Sequence, residues 1–571
     1  MTARVLDRLE IPFRTLGAAF ADFARRHPDK LAIHSIDQRL SIAFAPLREL
    51  TDRVATRMSG LGVKPGTRVA ILSGECLEKL VLMFAAWRCG ASACPFHAEI
   101  APAHLRSILG TIAPALVVWR RGDLDGAALT AGLGCPSLSF ADIEDPLFAP
   151  VSALVAGPLP AAGVEYAWDG EGCIFATSGT TDRPKCVVWD HLGLWLCGLS
   201  TIDFTGLGPD DRLLEYRTFS WLSPQIVTFM PFVALGLSVF MAAGFSRSRF
   251  FDWVRAHKIT VAAGVPTVIN MLLDQPVEVK REDIATLRLM TASSAPLAPE
   301  RWRQFEERYG ITIAQFYGAS EGGWLCGNRH THRKHGTAGP PAKHMDLAIV
   351  DPQGAVCPPG VEGEITIRGP QTATAVISPE GEWQDRRPYR LTERVRVGDL
   401  GVMDADGFVT VTGRVKDVIL RGGASIAPLE IDAAMMTHPR VREAAAVGVP
   451  DRIWGEEIVC YVVPDKAVRN AAQATQAKQG PSDDGPSDGG SRDGGSRDGG
   501  ASERGASHNG PSDDGPSEQD LLAFAAKVLP DFKRPRRIVF VDRLPRNERG
   551  KVRRDDLKAL WARTNGADNS A

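Results

Sequence analysis

Cys173-Ile-Phe-Ala-Thr-Ser-Gly-Thr-Thr-Asp-Arg-Pro-Lys185 reads as an apolar strand followed at once by a loop of small hydroxyl residues. Such a loop leaves backbone N–H groups free to donate, and Lys185 adds a positive charge, so the loop suits a polyphosphate. The GxxxxGK[ST] pattern of a Walker A loop is absent. Because a Ser/Thr/Gly loop alone is more often an ordinary turn, its interpretation depends on the rest of the chain.

Amphipathic helices and short apolar strands alternate on both sides of this loop. Apolar residues recur at helical spacing in 45–61, and a second helix is predicted at Leu77–Arg88. Strands are predicted at Val69–Leu72, Leu116–Trp119, Cys173–Ala176, Val187–Trp189, Leu287–Thr291 and Ile311–Phe316. This alternation is typical of an α/β fold, in which ligands bind at the carboxyl ends of parallel strands.

The composition excludes several classes of protein. With 571 residues, about two to four domains are expected. The 66 basic and 68 acidic residues nearly cancel, which excludes the strongly basic composition of a general nucleic-acid binder. The 10 cysteines form no CxxC pair, and the N-terminus lacks the apolar core of a signal peptide. We therefore expect a cytoplasmic protein without a disulfide framework or a structural zinc site.

The uncharged run Ile226–Phe245 is long enough to span a bilayer. It contains Pro231, Gly236 and Gly244, which disfavour one continuous helix. A lone span without a basic flank would also be an unusual topology. We predict a buried helix, a turn at Gly236 and a core strand at Ser238–Ala242, with no transmembrane segment.

Residues 478–517 differ sharply in composition from the rest of the chain. Gly, Ser, Asp, Pro and Arg dominate there, and the octapeptide Gly480-Pro-Ser-Asp-Asp-Gly-Pro-Ser487 recurs at 510–517. Such a segment buries too little apolar surface to offset its ordering entropy, so it is predicted to be a disordered insert. Structure is predicted on either side of it, at Glu457–Val463, from Gln519 and at Arg537–Val541. The insert therefore interrupts one small domain.

Further motifs follow the Thr177–Lys185 loop along the chain. They are Tyr317-Gly-Ala-Ser-Glu321, Val397-Gly-Asp399, Gly413-Arg-Val-Lys-Asp417, Gly422-Gly-Ala-Ser-Ile-Ala-Pro-Leu-Glu430 and Leu544-Pro-Arg-Asn-Glu-Arg-Gly-Lys551. In this order they resemble the motifs of the adenylate-forming superfamily, which comprises acyl-CoA synthetases, peptide-synthetase adenylation domains and luciferases. The resemblance extends from Phe23 to Lys551, apart from the insert.

The resemblance implies a large N-terminal α/β domain of several subdomains, residues 1–414, and a smaller mobile α+β domain, residues 418–571. Residues 415–417 would form the hinge, which contains Asp417. After the first half-reaction the smaller domain would swing and present Gly422 and Gly423 to the tunnel for coenzyme A. Glycines suit that place because the thiol-bearing arm must pass close to the backbone.

The resemblance also implies an ATP site. The β- and γ-phosphates would be bound by the loop residues Thr177, Ser178, Gly179, Thr180, Thr181 and Lys185. The base would lie beside the turn Ser294-Ala295-Pro296 and stack on Tyr317, which is followed by Gly318 and Ala319. The α-phosphate, Mg²⁺ and the ribose would be bound by Ser320, Glu321 and Asp399 respectively, with Arg414 assisting at the ribose.

Lys551 would be the catalytic residue of adenylation, together with Ser320 and Glu321. A substrate carboxylate and the α-phosphate are both anionic and repel each other. A cation that bridges them relieves this repulsion as charge moves onto pyrophosphate. The expected product is an acyl-adenylate.

The phosphate loop departs from the superfamily pattern Thr-Gly-x-Pro-Lys-Gly at two positions. Asp182 stands where the glycine is usual, and Cys186 follows Lys185. Because Asp tolerates left-handed backbone and Arg183 offsets its charge, we expect Asp182 to point outward and adenylation to survive. We assign Cys186 to packing, since no base stands beside it in the sequence.

The acid pocket would be lined by the segments 218–225, 263–266 and 322–324, which include Phe219, Trp221, Gly264, Gly322 and Trp324. Relatives that activate amino acids place an aspartate soon after a phenylalanine in the first segment. Here Ser220 follows Phe219, and the first acidic residue after Phe219 is Asp252. A buried substrate ammonium would lack a partner, so an apolar acyl or aryl acid is expected.

We therefore interpret the chain as an ATP- and Mg²⁺-dependent carboxylic acid–CoA ligase, either a monomer or a dimer. Free coenzyme A is the expected acceptor because no carrier-protein segment follows Lys551. Two alternatives stay open. One is a stand-alone adenylation enzyme that loads a carrier protein, and the other is a catalytically weakened nucleotide-binding homologue whose insert recruits partners.

Overall fold

The computed structural model describes residues 16–149, 168–177, 185–378, 380–388, 390–465, 516–546 and 551–565. The chain divides into two compact units, Met1–Val411 and Thr412–Ala571. The predicted insert lies outside the described residues except for its last two positions. A large and a smaller α/β unit agree with the predicted fold class, while the hinge at 415–417 stays a prediction.

The helices of the first unit include the three that the sequence predicted, at 45–61, at Leu77–Arg88 and within Ile226–Phe245. They are α1 (Leu16–Arg26), α2 (Phe44–Gly60), α3 (Leu77–Arg88), α4 (Pro102–Ile112), α5 (Gly126–Thr130), α6 (His191–Thr205), α7 (Leu222–Pro224), α8 (Met230–Leu235), α9 (Phe250–His257), α10 (Pro266–Asp274) and α11 (Pro299–Tyr309). A π-helix spans Gln225–Phe229, and a 3₁₀-helix spans Arg281–Ile284.

The strands up to the unit boundary are short and mostly buried. They are β1 (Leu31–Ser35), β2 (Leu40–Ala43), β3 (Arg68–Leu72), β4 (Ser92–Phe96), β5 (Leu116–Arg120), β6 (Ser137–Phe140), β7 (Glu171–Thr177), β8 (Lys185–Asp190), β9 (Arg212–Glu215), β10 (Ser238–Met241), β11 (Val261–Ala262), β12 (Leu289–Ala292), β13 (Thr312–Ala319), β14 (Gly323–Gly327), β15 (Asp346–Val350), β16 (Gly363–Arg368), β17 (Ala375–Ile377), β18 (Trp383–Asp385), β19 (Val395–Met403) and β20 (Val409–Arg414).

Within the described ranges these strands form two eight-stranded sheets and one four-stranded sheet. Their strand orders are β14-β13-β12-β11-β9-β10-β1-β2, β18-β17-β8-β7-β4-β3-β5-β6 and β15-β16-β19-β20. In the first sheet the neighbours from β13 to β1 are all parallel. In the second sheet the neighbours from β6 to β7 are parallel as well. Parallel sheets of this kind are covered by helices on their faces.

Helix α3 lies in the core between the two large sheets. It contacts β3 and β4 of one sheet and β1 of the other, and its residues 77–87 are all buried. Phe84 of this helix stacks on Phe20 with 4.2 Å between the ring centroids. The rings of Phe44 and Phe232 stack nearby at 5.1 Å. These aromatic contacts join elements that are far apart in the chain.

The uncharged run Ile226–Phe245 folds as predicted into a buried helix, a turn and a core strand. Helix α8 ends at Leu235 and is capped by Gly236, whose φ of 64° is left-handed, and β10 begins two residues later. The π-helix at Gln225–Phe229, which the sequence did not predict, precedes α8. Every helix in the described part of the chain is too short or too polar to cross a membrane.

The second unit is built around one antiparallel pair of long strands. Its strands are β21 (Ile419–Arg421), β22 (Ala424–Ile426), β23 (Val441–Asp451), β24 (Gly455–Pro464) and β25 (Arg537–Phe540). Its helices are α12 (Pro428–Met435), α13 (Glu518–Val528) and α14 (Arg554–Asn565), with 3₁₀-helices at Val415–Asp417 and Asp531–Lys533. Strand β24 pairs with β21, β23 and β25.

Arg440 contacts the chain on both sides of the predicted insert. Its carbonyl oxygen accepts a hydrogen bond from the Asp465 N–H at 3.1 Å. Its guanidinium lies 3.6 Å from the carboxylate of Asp520, in the first turn of α13. Ser517 begins that helix with a capping box shared with Asp520. The described chain before the insert, at Asp465, and after it, at Asp520, therefore contacts one residue of the small domain.

Gly236 tests how tightly the core of the first unit is packed. A Cβ atom at Gly236 would lie 1.7 Å from the ring of Phe23, whereas one at Gly62, also at positive φ, would have nothing within 4 Å. We expect Gly62→Ala to cost about 1–2 kcal/mol of unfolding free energy through its backbone alone. Gly236→Ala should cost about 1–3 kcal/mol more because of the overlap. Denaturant unfolding of both variants measures the difference, and equal losses would contradict the packing.

Candidate active site

The phosphate loop begins and ends on a paired strand ladder. Thr177, the last residue of β7, pairs with Lys185, the first residue of β8, in an antiparallel register. Lys185 is exposed at the base of the loop. The loop positions 178–184, which include Ser178, Gly179, Thr180, Thr181 and Asp182, lie outside the described residues. Their roles stay predictions.

Cys186 packs in the core directly after Lys185. It is 2% exposed and belongs to the apolar cluster around Val188 and Ile174. Burial raises the pKa of its thiol to about 12, so the sulfur stays protonated at neutral pH. The packing role predicted for Cys186 is confirmed.

Tyr317 and Asp399 meet although they come from different sheets. Tyr317 lies near the end of β13, and Asp399 lies in β19 of the four-stranded sheet. The Tyr317 hydroxyl donates a hydrogen bond to the Asp399 carboxylate. Two residues predicted to bind the base and the ribose of one nucleotide are therefore held side by side.

The turn between β13 and β14 holds Ser320 and Glu321. The indole N–H of Trp189 donates to the Ser320 carbonyl at 3.2 Å, and the Ala373 N–H donates to the Glu321 carbonyl at 2.9 Å. A Cβ at Gly318 would lie 2.3 Å from the Gly323 carbonyl oxygen, so only glycine fits there. The main chain of this turn is therefore fixed from several sides, and the Glu321 side chain is partly exposed.

The predicted adenine turn follows β12, the parallel neighbour of β13. Ser293 is fully buried, and Ser294 has a φ of 73°, which is uncommon for a residue other than glycine. Ala295 and Pro296 are more accessible than Ser293. The turn thus lies at the same edge of the sheet as Tyr317, because both follow the carboxyl ends of adjacent parallel strands.

The aromatic residues predicted to line the acid pocket have different surroundings. Phe219 is 1% exposed and packs edge-on against Phe229 at 5.7 Å. Trp324 is 3% exposed, and its indole N–H donates to the Thr201 hydroxyl at 2.8 Å. Trp221 is only partly buried. Phe219 and Trp324 therefore belong to the core, and Trp221 is the more accessible ring.

The two glycines of the predicted pocket are required by close contacts. A Cβ at Gly264 would lie 2.4 Å from the Thr291 carbonyl oxygen. The N–H of Gly264 donates to the Thr291 hydroxyl at 3.0 Å. A Cβ at Gly322 would lie 2.6 Å from a methyl group of Ile367. Gly264 lets the Thr291 main chain approach closely, and Gly322 leaves room for the Ile367 side chain.

Sequence reasoning missed a buried ion pair beneath the acid segment. Lys79, fully buried in α3, lies 2.6 Å from the Glu75 carboxylate and donates to the Ser220 hydroxyl at 2.7 Å. The other carboxylate oxygen of Glu75 accepts a hydrogen bond from the Phe219 N–H at 3.1 Å. A charged residue inside the apolar helix Leu77–Arg88 was the available signal. The pair fixes the main chain of the acid segment.

A second buried ion pair, Glu215–Arg217, joins the end of β9 to the acid segment. The Arg217 guanidinium donates to both carboxylate oxygens of Glu215. The Nε–Oε1 and Nη2–Oε2 distances are each 2.8 Å. Burial by itself would lower the pKa of Arg217, but the Glu215 charge and its hydrogen bonds raise it above the ordinary value. Arg217 therefore stays charged in the core.

The second unit holds the remaining predicted residues. Lys551 precedes Val552, which forms a β-bridge with Arg546, and the Arg553 N–H donates to the Pro545 carbonyl at 2.9 Å. Lys551 is partly buried. These contacts fix the chain immediately after the predicted catalytic lysine.

Asp417 contacts the start of α14 within the second unit. Its carboxylate lies 3.8 Å from the guanidinium of Arg554, which also forms a buried ion pair with Asp432. Arg414 ends β20, three residues before Asp417. Burial raises the pKa of Asp432 despite this arginine. Arg554 therefore connects the predicted hinge residue, Asp417, to the segment that follows Lys551.

Gly422 and Gly423 connect β21 to β22 with positive φ values of 56° and 85°. A Cβ at Gly422 would lie 2.6 Å from the ring of Trp454, whereas one at Gly423 would meet nothing within 4 Å. Both positions favour glycine because of their left-handed backbone. Only Gly422 also needs it for space.

The chain matches two family models along most of its length. Residues 20–375 match "AMP-binding enzyme", and residues 430–479 match "AMP-binding enzyme C-terminal domain". Sulfoacetate–CoA ligase of Cupriavidus necator is 31% identical over 469 residues, covering 80% of this chain and 89% of the relative. Oxalate–CoA ligase of Arabidopsis thaliana is 27% identical over 557 residues, covering 95% and 97%.

The fold also matches solved structures. The crystal structure of ATP-bound MatB from Rhodopseudomonas palustris superposes with a TM-score of 0.79 at 26% identity, covering 96% of this chain and 99% of that one. The sequence motifs, the pairing of Tyr317 with Asp399 and these similarities agree. The chain belongs to the AMP-binding enzyme family, within the adenylate-forming superfamily that its motifs resemble.

Proposed function

We propose that this chain is an ATP-dependent carboxylic acid–CoA ligase that works in two half-reactions. In the first, the acid and ATP give an acyl-adenylate and pyrophosphate. In the second, the thiol of coenzyme A displaces AMP and gives an acyl-CoA thioester. The observation that carries the proposal is the hydrogen bond from Tyr317 to Asp399, in a chain whose curated relatives are CoA ligases.

The nucleotide binds at the strand ends of the first unit. Tyr317 stacks on the base, Asp399 accepts hydrogen bonds from the ribose hydroxyls, and the Ser294–Pro296 turn lies beside adenine. Asp399 is an acceptor that already holds one donor in place, so its carboxylate is oriented before ATP arrives. Thr177 and Lys185, at the base of the phosphate loop, bind the β- and γ-phosphates.

The residues around Glu321 fit a hard cation. Its carboxylate forms no ion pair with any residue that the structure describes, and its main chain is fixed by Ala373. Carboxylate and phosphate oxygens are the ligands that Mg²⁺ prefers. Glu321 would hold the ion beside the phosphates, where Mg²⁺ supplies positive charge. Ser320 contacts the α-phosphate from the same turn.

Lys551 promotes adenylation by binding both reacting anions. Its ammonium offsets the repulsion between the substrate carboxylate and the α-phosphate, and this effect grows as charge moves onto pyrophosphate. Movement at Asp417 then exchanges Lys551 for the segment of Gly422 and Gly423, along which the thiol arm of coenzyme A passes. Arg414 assists at the ribose.

For the acid we propose an apolar acyl or aryl body that lies against Trp221, next to Gly264 and Gly322. The relatives' names point to acids with a further anionic group, since sulfoacetate bears a sulfonate and oxalate a second carboxylate. The protein acts in the cytoplasm as a monomer or a dimer.

A screen of acids for AMP release with free coenzyme A tests the function. Transfer to a carrier protein alone would favour the stand-alone adenylation enzyme.

Lys551→Ala should lower acid-dependent pyrophosphate–ATP exchange by at least about a hundredfold, because a preorganised charge that stabilises the transition state is lost. ATP affinity should change little. Lys558→Ala is the matched control. Lys558 lies on α14, and its ammonium forms only a loose ion pair with the Glu456 carboxylate, 3.9 Å away. Its exchange rate should equal that of the unmodified protein. An undiminished rate in Lys551→Ala would refute the mechanism.

Tyr317→Phe should weaken ATP binding by about fivefold, because the ring still stacks but Asp399 loses a hydrogen-bond donor. Tyr317→Ala should weaken it further, since stacking is lost as well. Tyr309→Phe is the control, because the Tyr309 hydroxyl donates to the Leu272 carbonyl at 2.9 Å, away from the site. Calorimetric titration with ATP measures all three. Equal losses in the two Tyr317 variants would argue against base stacking.

A further inference from the structure

Arg217 presents one edge of its guanidinium to two serines. Its Nη1 donates to the Ser223 hydroxyl at 3.0 Å and to the Ser293 hydroxyl at 3.4 Å. Ser223 lies in α7, inside the predicted acid segment, and Ser293 directly precedes the adenine turn. The two hydroxyl oxygens are 3.5 Å apart. The group therefore stands where the acid segment meets the nucleotide site.

The opposite edge of Arg217 is fully occupied by Glu215. That carboxylate also accepts hydrogen bonds from the Thr228 hydroxyl at 2.7 Å and from the N–H groups of Tyr216 and Arg217 at 3.1 and 2.9 Å. Its negative charge is thus spread over several donors on its own side. The ion pair has no net charge, but its positive edge faces the serines.

Both serine hydroxyls are oriented by this edge. A hydroxyl oxygen that accepts from a guanidinium keeps its own hydrogen as a donor. Because the two hydroxyls are within hydrogen-bond distance of each other, one serine donates to the other, and one hydroxyl hydrogen remains for a ligand. Ser293 is fully buried and Ser223 is partly exposed, and no carboxylate among the described residues pairs with Nη1. The arrangement offers a donor to a ligand. A purely apolar tail would leave that remaining hydroxyl donor without a partner, next to the positive edge of Arg217.

We propose that the acid carries, besides the carboxylate that is adenylated, a second oxygen-rich anionic group bound by the partly exposed Ser223 hydroxyl, with Arg217 and Ser293 orienting that hydroxyl and supplying positive charge behind it. A carboxylate or a sulfonate has the acceptor geometry for this edge. The inference rests on the proposed ligase function and narrows its substrate class. The body between the two anionic groups still lies against Trp221.

Acid-dependent pyrophosphate–ATP exchange with acids of matched size tests the inference. Butanoate, succinate and 3-sulfopropanoate share a short chain and differ at the far end, and phenylacetate and homophthalate form an aryl pair. We expect kcat/KM to be at least about tenfold higher for acids with the second anion, as for one charge-assisted hydrogen bond. Equal or better exchange with butanoate and phenylacetate would overturn the inference but leave the ligase function standing. No exchange with any acid would overturn both.

Serine variants locate the effect at this site. In Ser223→Ala, and more so in Ser223→Ala combined with Ser293→Ala, the ratio of kcat/KM for succinate to that for butanoate should fall towards one. Thr228→Val is the control, because it removes a hydrogen bond to Glu215 without touching either serine, and its ratio should stay unchanged. An unaltered ratio in the serine variants would overturn the inference. Arg217 itself is left intact because its loss would bury the Glu215 charge without a counter-ion.

Discussion

Neighbouring parallel strands end at the same edge of a sheet, and this constraint places the candidate site. β9, β11, β12 and β13 lie side by side in one sheet, all parallel. The residues that follow or end them are Arg217, Gly264, Ser293 and Tyr317. They are far apart in the chain, but only a few strand spacings of about 4.8 Å separate them in space. The sheet order therefore assembles the site, and each motif supplies only one side of it.

Buried ion pairs hold connections that leave strands of both large sheets. Lys79 is fully buried against Glu75, and the Asp190–Arg390 pair, 2.7 Å apart, is likewise almost inaccessible. Such pairs add little net stability, because the loss of hydration offsets the attraction between the charges. Here the pairs orient neighbouring parts of the chain. Lys79 donates to the Ser220 hydroxyl, and the Asp190 carboxylate accepts a hydrogen bond from the Gly193 N–H at the start of α6. The acid segment and the helix after β8 are each held in one arrangement.

Periodicity predicted several of the helices and strands, and the helix at Leu77–Arg88 has its predicted bounds. It could not predict that Lys79 meets Ser220, because those residues are 141 positions apart and only the sheet order brings them together. Residue type also could not decide whether Phe219 and Trp324 face a ligand or the core. The sequence motifs predicted the Tyr317–Asp399 neighbourhood because both residues recur in a family pattern, whereas the Arg217 cluster has no such pattern.

Arg440 binds the main chain at Asp465 and the side chain of Asp520, so the described chain before and after the long polar insert is anchored to one residue. The free energy of closing a flexible loop rises only by about 0.6 kcal/mol for each doubling of its length. Residues can consequently be gained or lost between these anchors with little strain on the small domain. The same property makes this position suited to grafting a fluorescent or affinity module, since the graft would begin and end on fixed points of the scaffold.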